Sequence, residues 1–176
     1  VIVIMGILMV VAIPAVTRTI ENTRKDSYLS TAKQYVNQVK TLWAADGLYC
    51  GTTSDTSATM ADGSYYVRFS SVNDDLLEEG GTSPWKANTA GIVYIVRSGN
   101  ANTYSVYIED AKKNAIGEIS GSKVEPVGFD SLARGSVLKL TDANDSYATP
   151  ASGRPTANPK DSAINMSTYT ECKVLD

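Results

Sequence analysis

Val1-Ile2-Val3-Ile4-Met5-Gly6-Ile7-Leu8-Met9-Val10-Val11-Ala12-Ile13-Pro14-Ala15-Val16-Thr17 carries no charged side chain. At Arg18 the character changes without a gap. Apolar residues then fall at Tyr28, Leu29, Ala32, Tyr35, Val36, Val39, Leu42 and Trp43. Steps of three and four residues place them on one stripe of an α-helix, with Lys33, Asn37, Lys40 and Thr41 on the other side. The two stretches together predict one rod over residues 1–46, about 69 Å long at 1.5 Å per residue. That is far longer than the helix of an ordinary globular domain. Its first part is apolar all round, so it needs burial in something other than this domain's own core. Glu21 and Lys25 are spaced for an i,i+4 ion pair with the acid first. Asp46-Gly47 is expected to end the helix, with Gly47 as the left-handed cap.

As a helix the uncharged stretch spans roughly 25 Å, slightly short of a ~30 Å hydrocarbon core, and a few more apolar residues would complete a span. The chain opens on Val1 rather than Met, so residues upstream are expected. Because the apolar segment is retained, a cleaved secretory signal is disfavoured, and a plain signal anchor is the simplest alternative. Gly6 and Pro14 are expected to break or kink the helix. Pro14 has no N–H to donate, and its ring crowds the preceding turn.

Residues 48–90 read as a polar connection rich in Gly, Ser, Thr and Asp, with a short strand at Tyr65–Phe69 and a helical turn at Val72–Glu79. The period then becomes two. Gly91–Arg97 and Thr103–Glu109 are predicted strands joined by a hairpin turn at Ser98–Asn102. A turn at Asp110–Asn114 leads to a third strand, Ala115–Ser120, and short links of this kind argue for an antiparallel meander. Gly121–Asp130 reads as a loop and Val137–Leu140 as a further short strand. Thr141–Ala163 holds Pro150, Pro155 and Pro159 and reads as a long surface loop. Thr168–Leu175 again has strand character. The expected class is α+β: a long N-terminal helix, apolar in its first half and amphipathic in its second, on an antiparallel sheet of three to five strands with a long C-terminal loop. The expected division is 1–20 apolar helix segment, 21–47 amphipathic helix, 48–90 connection, and 91–176 sheet with C-terminal loop.

The chain has 176 residues, 16 Lys and Arg, 19 Asp and Glu, a net charge of −3 and a pI near 5.0. No global basic field is available to hold nucleic acid. There is no histidine, so Ser–His–Asp and Cys–His arrangements cannot be assembled, and no carboxylate pair is placed in a cleft by its spacing. Neither catalysis nor a cofactor is expected. Cys50 and Cys172 are too few for a typical metal site. In an oxidising compartment they could form a disulfide, whose loop contributes about 4–5 kcal/mol in the chain-entropy model. Two separate reduced thiols are the alternative. Asp142, Asn144 and Asp145 offer oxygen donors that suit Ca²⁺, but the Gly and Glu of an EF-hand loop are missing, and an Asx-rich turn is the plainer reading. Asn144-Asp145-Ser146 and Asn165-Met166-Ser167 match the short glycosylation pattern, a weak signal. Tyr94, Tyr104 and Tyr107 are expected to pack in the core, with a neighbouring subunit as the second possibility.

The run Val1 to Ala15, with Gly6 followed by Ala12-Ile13-Pro14, resembles the N-terminal helix of type IV pilins and related pseudopilins. The resemblance is strong only over the first ~25 residues, as is usual where globular portions diverge. It implies a pilin-like fold whose C-terminal loop is stapled by cysteines. It also implies a structural subunit, held first in the cytoplasmic (inner) membrane and then in an extracellular helical filament. Val1, Ile2, Val3, Ile4, Met5, Gly6, Ile7, Leu8, Met9, Val10, Val11, Ala12, Ile13 and Pro14 would form the membrane and filament-core interface. The implied partners are other copies of the chain, a prepilin peptidase and the pilus assembly machinery, with host-surface or DNA contacts downstream. In the family the mature chain begins a few residues earlier, with an N-methylated residue and a glutamate at the fifth place, neither of which is in this sequence. The alternatives are a type II secretion pseudopilin, some of which bind Ca²⁺ in a C-terminal loop, and a membrane-anchored binding domain that does not polymerise.

Overall fold

A computed structural model describes residues 2–51, 60–69, 82–145 and 168–175 of the chain. One helix, α1, runs from Ile2 to Ala44 and carries through both Gly6 and Pro14, so the helical break expected at those positions is not present in the single chain. A proline costs its own backbone bond and crowds one turn, but the turns on either side remain helical. The expected stripe is the buried one. Tyr28, Ala32, Tyr35, Val36, Val39 and Trp43 are sealed, and Leu29 and Leu42 pack against them half-buried.

The helix ends one residue differently from expectation. Asp46, not Gly47, takes the left-handed conformation (φ 60°). The Asp46 N–H donates to the Trp43 carbonyl (3.3 Å) and the Gly47 N–H to the Leu42 carbonyl (2.7 Å). This is the two-bond Schellman closure, and Asp tolerates the left-handed region better than most residues. Gly47 instead supplies room, since a Cβ there would lie 3.1 Å from Leu42 Cδ2.

Among the described residues ten strands follow in chain order: β1 (Leu48–Cys50), β2 (Gly63–Arg68), β3 (Thr89–Ser98), β4 (Ala101–Asp110), β5 (Asn114–Ile116), β6 (Glu118–Ser120), β7 (Lys123–Glu125), β8 (Val127–Gly128), β9 (Val137–Lys139) and β10 (Thr170–Val174). The main sheet has eight strands rather than three to five, in the order β1-β10-β2-β3-β4-β5-β9, with β8 also paired to β4. At its centre is the expected hairpin. β3 and β4 pair from Thr89↔Asp110 to Ser98↔Ala101 around Gly99 and Asn100, Gly99 having a positive φ. The third strand of the expected meander is shorter. It pairs as β5 and then leaves the sheet, and β6 forms a separate two-stranded hairpin with β7 inside the expected loop.

The C-terminal strand departs from a uniformly antiparallel sheet. β10 inserts between β1 and β2, antiparallel to the first and parallel to the second. A strand that returns from far along the chain is not bound by hairpin geometry, so either direction is open to it. The expected helical turn at Val72–Glu79 lies outside the described residues.

Strand alternation sorts the side chains. Tyr65, Val67, Val93, Ile95, Val106 and Ile108 join the helix stripe in the main core. Tyr66, Ile92, Tyr94 and Tyr107 point to the other face, where Ala115, Val124 and Leu140 close a second cluster. The expectation for the tyrosines thus divides. Tyr104 packs half-buried beside the main core, whereas Tyr94 and Tyr107 are buried on the face away from the helix. Gly91 lets the two layers approach. A Cβ there would stand 2.6 Å from the Phe69 ring, which stacks on Tyr35.

Candidate functional site

Among the described residues, the five most exposed large apolar side chains lie in the first half of α1. Ile2 is 87% exposed, Val3 73%, Ile4 64%, Ile7 61%, Val16 56% and Ile20 48%. A Cβ added at Gly6 would meet nothing within 4 Å. Met5 and Leu8 to Pro14 lie in the same helix, but their side chains fall outside the described residues, as does Val1. Fully burying one Val or Ile is worth about 1.5–3 kcal/mol. Covering six side chains exposed to this degree therefore amounts to on the order of 5–10 kcal/mol. That is within the range of the cost of bringing two bodies together, so two such faces burying each other can bind where one alone is marginal.

A collar of polar contacts fixes the domain to the helix just past this stretch. Trp85 Nε1–H donates to Glu21 Oε1 (3.1 Å), and the Trp85 ring meets Tyr28 edge-on. Arg134 grips Asp26 with two parallel bonds, Nε to Oδ1 at 2.7 Å and Nη2 to Oδ2 at 2.6 Å. The hydrogen bond from Arg134 holds the Asp26 carboxyl below its ordinary pKa. Glu21 also lies 3.7 Å from Arg24, so the expected Glu21–Lys25 pair gives way to an i,i+3 contact and a tryptophan. Trp85 and Arg134 were not foreseen, because each comes from a loop far along the chain and no local spacing marks it.

The two cysteines are joined. Cys50 and Cys172 form a disulfide, with Cα atoms 4.0 Å apart, between directly paired positions of β1 and β10. The bond ties the C-terminal strand to the segment that leaves the helix. Arg68 Nε donates to Glu171 Oε1 (3.1 Å) on the other side of β10.

The oxygen cluster considered for Ca²⁺ is occupied from within the protein. The Lys113 ammonium bonds Asp142 and lies 3.7 Å from Asp145, and Asn144 Oδ1 accepts from the Thr141 N–H (2.7 Å). Among the described residues no group of three or more acidic or Cys side chains is placed to hold a metal. Ser146 and the Asn165-Met166-Ser167 pattern lie outside the described residues. Buried Asp110 accepts from Ser83 Oγ, both Asn114 nitrogens and the Lys112 N–H. All four bonds tie down the β4–β5 turn, a structural role.

Among the described residues no helix is long and apolar enough to cross a membrane. This departs from the transmembrane helix expected at the N-terminus. No protein-family model, curated protein or solved structure matches the chain.

Proposed function

We propose that the chain is the structural subunit of a type IV pilus, polymerising through the N-terminal half of α1 into a helical filament. The observation that carries this reading is the contrast within one helix, whose stripe Tyr28, Ala32, Tyr35, Val36, Val39 and Trp43 is sealed while Ile2, Val3, Ile4, Ile7, Val16 and Ile20 are open. An apolar face continuous with a rigid, domain-packed helix suits a solid interior built from copies of itself. Acyl chains and apolar side chains are similar solvents, so passage from lipid into a filament centre need not cost much. A repeated head-to-tail contact that does not close generates an open helix. Residues Val1 to Pro14 would form the filament core and, earlier, the lipid-held segment. Gly6 and Pro14 are the places where helicity could be lost on assembly. The prepilin peptidase and assembly machinery follow from the same resemblance, as do adhesion, motility or DNA uptake at the cell surface.

The Lys113 ammonium between Asp142 and Asp145 favours the pilus over a calcium-loaded pseudopilin. The test is to shear cells that produce the chain and examine the supernatant. Long filaments carrying it support the pilus. Chain that stays with the cells as monomer supports a non-polymerising anchor and overturns the reading.

A further inference from the structure

We infer that Arg18 and Lys25 form a basic seat for anionic lipid headgroups, engaged while the apolar segment is in the membrane. The inference rests on the proposed lipid-held stage and adds to it a headgroup chemistry and the residues that read it.

The charges just past the apolar face are not equivalent. Its two acids are engaged within the protein, Glu21 by Trp85 and Arg24, and Asp26 by Arg134. The bases Arg18 and Lys25 have no acidic partner among the described residues, Arg18 exposed and Lys25 half-buried. At 100° per residue Ile7, Arg18 and Lys25 fall within about 20° of one another on the helix, so the two cations continue the line of an open apolar position. Arg18 is the first charge after the uncharged run, at the depth where a headgroup layer begins when that run lies among acyl chains. Lys25 lies about 10 Å further along the axis. Helical side chains lean toward the N-terminus, so its flexible stem reaches back toward the same layer. Unmatched positive charge beside an apolar insertion, with the neighbouring negative charge already neutralised, is complementary to a phosphate-bearing anionic surface.

The test is co-sedimentation of the full chain with vesicles of phosphatidylcholine alone and of phosphatidylcholine mixed with phosphatidylglycerol. Two charges near an anionic surface should tighten partitioning on the mixed vesicles by roughly tenfold to thirtyfold, fading as salt is raised. The double variant Arg18→Gln, Lys25→Gln should bind both vesicles equally and melt as the parent does. Lys33→Gln, Lys173→Gln removes equal charge elsewhere and should keep the preference. Equal partitioning of the parent on both vesicles overturns the inference alone, whereas failure to bind either overturns the lipid-held stage beneath it. A preference that survives the Arg18→Gln, Lys25→Gln change also overturns it. If that variant instead loses filament assembly while keeping its lipid preference, the two bases face a second copy of the chain and the inference is again overturned.

Discussion

Ile7 and Tyr35 sit in the same uninterrupted helix, 61% and 1% exposed respectively. Around Tyr35 the sheet supplies Phe69 and the main core; around Gly6 there is nothing within reach of an added Cβ. Propensity does not explain the difference, since β-branched residues, among the weaker helix formers, crowd the open half. What separates the halves is the periodicity of their polar residues. Where charges recur, one face is chosen and the domain packs on it. Where none occur, every face is apolar and none is preferred by a single sheet. The closed half stabilises the domain, and on the proposed reading the open half serves intermolecular burial.

The largest expected effect falls on the closed half's outer clasp. Replacing Cys50 and Cys172 by Ser should lower unfolding free energy by up to about 5 kcal/mol in the chain-entropy model, read by denaturant titration. Unchanged stability would mean that β10 is held by its pairing alone. Next, Tyr35→Ala should cost about 3–4 kcal/mol. Ile7→Ala on the same helix should stay within about 0.5 kcal/mol of the parent as a monomer. Similar losses at both sites would erase the contrast. Gly91→Ala should cost about 1–3 kcal/mol, because its methyl would meet the Phe69 ring and the Tyr107 carbonyl at under 3 Å. A neutral result would show that Phe69 moves easily.

The smallest effect concerns the collar between the halves. The pKa of Asp26 is lowered in the folded chain by Arg134, so its ion pair contributes above the ordinary carboxylate range. That contribution is lost as pH falls from about 4 through the lowered value. Asp26→Asn should therefore melt marginally below the parent at neutral pH, and the two should converge in acid. Because the pair is exposed, the difference should be small and should shrink in high salt.

The helix and its buried stripe were legible because a 3.6-residue period needs only local information, and the same holds for the β3–β4 hairpin, announced by alternation around Gly99 and Asn100. The place of β10 was not legible. Thr170–Val174 has strand character, but nothing local says that it will enter between β1 and β2, or run parallel to one of them. Strands as short as β1 and β7 carry too few residues for a period to show. At the left-handed cap, Gly47 was the reasonable expectation and Asp46 the outcome, with Gly47 one position further on, where a Cβ would crowd Leu42. For the candidate site, absence of charge located the open face. Its collar was hidden because Trp85 and Arg134 reach the helix only through tertiary packing.

The most direct measurement is detergent withdrawal from the purified chain, followed by sedimentation and electron microscopy, with Ile7→Arg alongside. Filaments are expected from the parent, and a folded, non-assembling variant with an unchanged melting curve. A parent that remains monomeric at every concentration and salt, or a variant that forms the same filaments, would contradict the proposed polymerisation.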